Sequence, residues 1–192
     1  NRLDYGASLA AALTLLFLRQ GDQVGLVTFD TELREFIPPR GNARHFRAVV
    51  DVLERLRPGG DTNLAAVLHD IAERVRRRSM VIVISDFFDD VEEVLTGLQH
   101  FRHRRHEVVA FHLLDDAELD FPFDRVTQFE GLERGERVVV DPRMVAAGYR
   151  AALQRYLEAL RKGCNEKAVE YARMTLSDPF ERALSGWLAR RG

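Results

Sequence analysis

Residues 79–86 read Ser-Met-Val-Ile-Val-Ile-Ser-Asp, an unbroken apolar run rich in β-branched side chains and closed by a carboxylate. A run without polar alternation suits a parallel strand covered on both faces rather than a strand with one wet face. The aspartate at its tip, Asp86, must be solvated, paired or metal-bound, because an isolated buried charge is too costly to keep. Working outward, Leu64, Val67, Leu68, Ile71 and Val75 upstream and Val91, Val94, Leu95, Leu98 and Phe101 downstream recur at helical spacing. A second apolar strand, Val108 to Leu114, follows.

The same alternation extends in both directions. Asp4 to Arg19 is a helix that is apolar on most sides, hence predicted to be buried, and Gly21 closes it. Val24 to Phe29 reads as a buried strand, and Glu32 to Ile37 as a short one ending at Pro38-Pro39. Phe46, Val49, Val50, Leu53 and Leu56 mark a further helix. Between 115 and 142 the alternation breaks, and Val126–Glu130 with Arg137–Val140 predict a hairpin inserted at a sheet edge. It then resumes with a helix through Leu153, Tyr156, Leu157, Leu160 and Cys164, a strand over Val169–Thr175, and a helix bearing Phe180, Leu184, Trp187 and Leu188. The expectation is one α/β domain over residues 1–192, with a three-layer, mostly parallel doubly wound sheet and helices on both faces.

Composition narrows the function class. A net charge of -2 offers no global attraction for nucleic acid or anionic lipid. The single Cys164 excludes an internal disulfide, and its place in an apolar stripe makes it a buried hydrophobe. A reducing, cytoplasmic setting fits that usage. No apolar run reaches the ~18 residues of a membrane span; the longest, Leu9 to Leu18, contains Thr14 and stops at Arg19. No signal peptide is visible, and a start at Asn1 rather than Met reads as a piece of a longer protein.

Ligands of open α/β sheets bind beyond the carboxyl ends of the strands, and two loops there carry oxygen donors. Pro58-Gly59-Gly60-Asp61-Thr62-Asn63 leads into a helix, and Ser85-Asp86-Phe87-Phe88-Asp89-Asp90 follows the most apolar strand. Hydroxyl and carboxylate oxygens converging from both would suit Mg²⁺. Each loop also has a plainer reading. Thr62 is a natural helix N-cap, and Asp89 and Asp90 are natural caps of the helix after them. The histidines at 100, 103 and 106 are spaced so that two could share a helix face and bind a transition metal, against the plainer reading of a solvated basic helix end; the arginines at 74, 76, 77 and 78 lie near a helix C-terminus, where cations suit the helix dipole. Neither run has the aromatic interleaving of a single-strand binder. No phosphate-binding glycine loop occurs, and Ser85 lacks the glycine-flanked elbow of hydrolases.

These stretches, with Leu3-Asp4-Tyr5, Arg19 to Leu26, Phe121-Pro122-Phe123 and Asp141-Pro142-Arg143, resemble the von Willebrand factor A fold in the bacterial branch catalogued as domain of unknown function 58. The resemblance implies a metal-ion-dependent adhesion site with Mg²⁺ or Mn²⁺, in which Thr62 matches the threonine of the Gly-Gly-x-Thr loop and Asp86 the strand-end aspartate. The Asp-x-Ser-x-Ser motif and its central strand are not found in the sequence, so metal binding by this chain is expected to be weak or absent. The neighbours of a missing strand would keep open edges, which favours homo-oligomers. The resemblance also implies a non-enzymatic protein-binding module, partnered by a MoxR-type AAA+ ATPase in assembling or activating other complexes. The competing reading is a Mg²⁺-dependent phosphoryl-transfer or receiver-like protein with Asp86 as nucleophile. Against it, the only lysines, Lys162 and Lys167, lie in or just after a late helix.

Overall fold

The computed structural model describes residues 1–59, 64–123, 127–130 and 137–189. The elements run α1 (Arg2–Arg19), β1 (Val24–Phe29), β2 (Leu33–Arg40), α2 (Ala43–Leu53), α3 (Leu64–Arg74), β3 (Met80–Ser85), α4 (Val91–His103), β4 (Glu107–Leu114), α5 (Asp116–Asp120), β5 (Thr127–Glu130), β6 (Arg137–Val140), α6 (Pro142–Glu166), β7 (Glu170–Thr175) and α7 (Phe180–Ala189).

At the centre lies a parallel three-stranded sheet in the order β3-β4-β7. Its middle strand shows why the apolar runs are unbroken. Val108 and Ala110 point into one core, built with α3, α4 and α6, while Val109, Phe111 and Leu113 point into another, built with α1 and α7. A period of two with helices on both faces makes nearly every position apolar, with His112 the buried exception. The mixed α/β architecture expected from the alternation is thus present, and Cys164 and Trp187 are buried as the sequence implied.

Three expectations need correction. The strands do not form one sheet: β1 and β2 make a separate antiparallel pair, as do β5 and β6. Among the described residues no ladder joins β1 to β3, so both keep an open edge. β3 packs on both faces as expected, Val81 and Val83 on the first core and Ile82 and Ile84 on the second, yet beside its open edge only Val83 is fully buried, whereas β4, paired on both sides, buries all but its first residue. Second, α1 buries only a stripe of Leu9, Leu13 and Thr14, and Leu15 stays exposed, because no layer covers its outer side. Third, β2 runs on through Pro38 and Pro39 to Arg40. Prolines lack the N–H of a ladder, but an outer strand has one free side on which to place that gap.

Two glycines set the spacing of the helices over the first core. A Cβ on Gly97 would lie 3.0 Å from Leu68 Cδ1 and 3.4 Å from Ala65 Cα, bringing α4 close against α3. A Cβ on Gly163 would fall 2.1 Å from Leu95 Cδ1 and 3.1 Å from its Cγ, so α6 lies directly on α4. Leu95 is buried and cannot swing aside. Gly163→Ala is therefore expected to destabilise the fold by about 1–3 kcal/mol through overpacking, despite the better helix propensity of alanine. Urea unfolding of the variant measures it.

Candidate functional site

Parallel pairing brings the carboxyl ends of β3 and β4 to one rim, with Ser85 opposite His112. Asp86 follows β3 there. After β4, Asp115 opens α5 with a capping box: its side chain accepts from Ala117 N at 2.9 Å, while Glu118 Oε2 accepts from Asp115 N at 2.8 Å. That box fixes Glu118 in place. The first turn of α1 reaches the same rim, and Arg2 joins the two acids. Its Nη1 donates to Asp86 Oδ2 at 2.6 Å and its Nη2 donates to Glu118 Oε1.

Burial alone would lower the Arg2 pKa, but the hydrogen bonds and charges of Glu118 and Asp86 outweigh it and raise it above the ordinary arginine value. The guanidinium stays charged, and its planar fork suits two carboxylates at once. Arg2 and Asp86 are about one-third exposed, at 33% and 37%. This is a rim network and not a core ion pair.

The turn that aims Asp86 is strained. Phe87 has φ 49°, in the left-handed region that non-glycine residues avoid. Three contacts hold it. Its ring is fully buried and meets the His112 ring edge-on, with centroids 5.5 Å apart. Its N–H donates to Ser85 Oγ at 3.0 Å, and its carbonyl accepts from the Tyr156 hydroxyl of α6. His112 in turn shares a 2.7 Å hydrogen bond between Nδ1 and the Tyr171 hydroxyl. Burial pushes His112 down to about 4, against the pull of nearby Asp86, and pushes Tyr156 up to about 12. Both side chains stay neutral at pH 7, a buried polar cluster under the Asp86 turn.

Of the two residues expected to ligate a metal, Asp86 lies at the rim as expected, while Thr62 lies outside the described residues. The flanks of its loop are described. Leu64 N donates to Asp89 Oδ2 at 3.2 Å, and Gly59 packs so tightly on Asp30, just after β1, that a Cβ would sit 2.6 Å from Asp30 Cβ. Asp90 caps α4 as expected, accepting from Glu92 N and Glu93 N. Asp89 does not; it reaches across to the first turn of α3, which the open amides there favour. Among the described residues no group of three or more His, Cys, Asp or Glu side chains could hold a metal ion. With Asp86 paired to Arg2, the described residues do not fit a Mg²⁺ centre.

Beside the network opens a cleft of about 1200 Å³, lined among others by Arg2, Glu118, Phe121, Phe123, Met144 and Tyr149. Phe121 packs on Phe123 and Tyr149, with centroids 5.2 and 4.7 Å away. Met144 is 84% exposed at the cleft, and Phe88, in the loop after β3, is 83% exposed. Sequence reading missed Arg2, Glu118, His112 and Tyr156. The Asp115-x-x-Glu118 spacing, a capping-box signature, was the available signal for Glu118. Arg2 has no local pattern to reveal its partners, which lie 84 and 116 positions away.

The chain is 26% identical over 175 residues to the uncharacterized protein Rv1480 of Mycobacterium tuberculosis (strain H37Rv) and equally to Mb1516 of Mycobacterium bovis. The match covers 85% of this chain and 53% of each relative, so the chain spans about half their length. Among solved structures it resembles a conserved hypothetical protein BatB from Bacteroides thetaiotaomicron, with a TM-score of 0.57, 14% identity, and 96% and 87% of the two chains covered. An aerotolerance-related membrane protein from Bacteroides fragilis is similar at a TM-score of 0.59 and 14% identity, covering 96% and 85%. At that identity the likeness shows the fold. Residues 2–163 match the family described as Protein of unknown function DUF58, and the chain belongs to it.

Proposed function

We propose that the carboxyl rim around Asp86 is a protein-docking face and that the chain is a non-enzymatic, von Willebrand factor A-like binding module. The observation that carries this reading is the cleft, where the Arg2–Asp86–Glu118 network borders exposed Met144 and Phe123. Large apolar side chains exposed beside oriented charges are the make-up of interaction surfaces. The family resemblance points to a MoxR-type AAA+ ATPase as the partner. It also points to a metal-ion-dependent adhesion site, incomplete here, whose Mg²⁺ or Mn²⁺ would be held in a longer chain that supplies further oxygens beside Thr62 and Asp86.

No described helix is long and apolar enough to cross a membrane. The open edges of β1 and β3 support a further strand between them, from a longer chain or from a second copy. Sedimentation at high concentration tests the second copy, and a strictly monomeric profile counts against it. The receiver-like alternative loses support from the lysines. Lys167 Nζ donates to Gln99 Oε1 at 2.8 Å and Lys162 pairs with Glu166, leaving Arg2 as the cation at Asp86 among the described residues.

Two experiments bear on this reading. Binding of purified MoxR-type ATPase should weaken by roughly 1–3 kcal/mol on Met144→Glu, which places a charge in an apolar contact; an unchanged affinity contradicts the docking face. Arg2→Gln should raise Mg²⁺ affinity in calorimetry, since it removes the cation that now neutralises Asp86. If Arg2→Gln binds no more Mg²⁺ than the parent chain, the Arg2 charge is not what keeps the ion from Asp86.

A further inference from the structure

Helices α3 and α4 run side by side away from the carboxyl rim, and Gly97 lets them close on Leu68 and Ala65. One turn further along that seam, His69 and His100 meet with ring centroids 4.5 Å apart and planes at 74°. The next turn adds Glu73 on α3 and His103 on α4, at positions i+4 and i+3 from the two histidines. On a helix these spacings put side chains on one face. Read along the sequence alone, His100, His103 and His106 looked like one basic helix end. The structure separates them. His106 is buried, its Nδ1 accepting from Ser79 N at 3.1 Å, whereas His69 is exposed and His100 half-buried at the surface seam.

We propose that His69 and His100 form a surface site for a borderline transition-metal cation such as Zn²⁺ or Cu²⁺. Two imidazoles bound tetrahedrally to one ion at Zn–N distances of ~2.0–2.1 Å place their ring centroids about 5 Å apart; the rings now meet edge-on at 4.5 Å, so they need little translation but must each turn to aim a nitrogen at the ion. The site has two protein ligands, since no three such side chains converge among the described residues, and water completes the coordination. Glu73 is held by Arg104 and His103 faces Gln99 Nε2 at 3.2 Å, so either must leave its present partner to become a third ligand. Imidazole donors select such cations over Mg²⁺ and Ca²⁺, which prefer oxygen. This site lies apart from Asp86 and does not depend on the docking reading.

The test is calorimetric titration of the intact chain with ZnCl₂, with thermal unfolding as a second readout. One bound Zn²⁺ per chain is expected, together with a higher Tm in excess Zn²⁺, because the ion would tie α3 to α4. His69→Ala and His100→Ala should each weaken binding by about tenfold or more, at least the effect that outer partners of metal sites show. Both residues lie at the surface, so circular dichroism should show unchanged folds. His103→Ala separates a two-ligand from a three-ligand site: unchanged affinity supports the pair as stated, and a loss equal to that of His100→Ala replaces it with a triad. With Cu²⁺, superhyperfine splitting from two nitrogens is expected. No binding, or binding insensitive to both His69→Ala and His100→Ala, overturns the proposal.

Discussion

Phe87→Ala is expected to destabilise the protein by about 3–5 kcal/mol, the range for emptying a buried phenylalanine site, and to release the turn that presents Asp86. Phe87 is fully buried against the core shared by α3, α4 and α6 and edge-on to His112. Its backbone sits at φ 49°. Alanine keeps that conformational cost, of order 1 kcal/mol, while losing the ring that offsets it. Phe87→Gly loses the same packing but removes the strain, so it should be the milder of the two despite its smaller side chain. Denaturant titration of both variants checks this order. A loss below about 1 kcal/mol for Phe87→Ala would mean the ring does not anchor the turn.

Acid should weaken the fold through His112. Its folded-state pKa of about 4 lies well below the ordinary histidine value of 6.5 because burial disfavours the imidazolium. Above pH 6.5 both folded and unfolded states hold a neutral ring, and the group contributes no pH dependence. As pH falls from 6.5 to about 4, the unfolded chain takes up a proton that the folded chain refuses, so stability declines through that window and levels off below it. From this one residue the decline amounts to about 3 kcal/mol, or two orders of magnitude in the folding constant. His112→Gln cannot titrate, so its stability should fall less steeply over the same range, whatever its offset at pH 7. Parallel slopes for parent and variant would show that His112 is protonated in the folded state.

Much of the scaffold was legible because it rests on periodicity. The β-branched run of β3 and the helical stripes of α3 and α4 are local patterns, and the parallel pairing follows from their alternation. Less visible was what depends on neighbours distant in sequence. The apolar run of β3 reads as a fully covered strand, but it carries no mark of its open edge, because a side-chain pattern reports on sheet faces and not on ladder partners. Asp86 could be singled out, since a carboxylate ending an apolar run is an anomaly of local chemistry. Its partner Arg2 could not, since nothing about a lone arginine before Leu3-Asp4-Tyr5 predicts whether it faces water or two acids. His112 sits among six apolar neighbours in β4 with no sign in sequence that tyrosines on α6 and β7 surround it.

The docking face around Asp86 is tested most directly by amide hydrogen exchange of the chain with and without bound MoxR-type ATPase. Slower exchange is expected over residues 85–90, at the turn after β3, and over 115–123, along α5 and the aromatic wall of the cleft. Protection confined to the opposite rim, at residues 76–79 and 104–107, with the Asp86 turn unaffected, would contradict it.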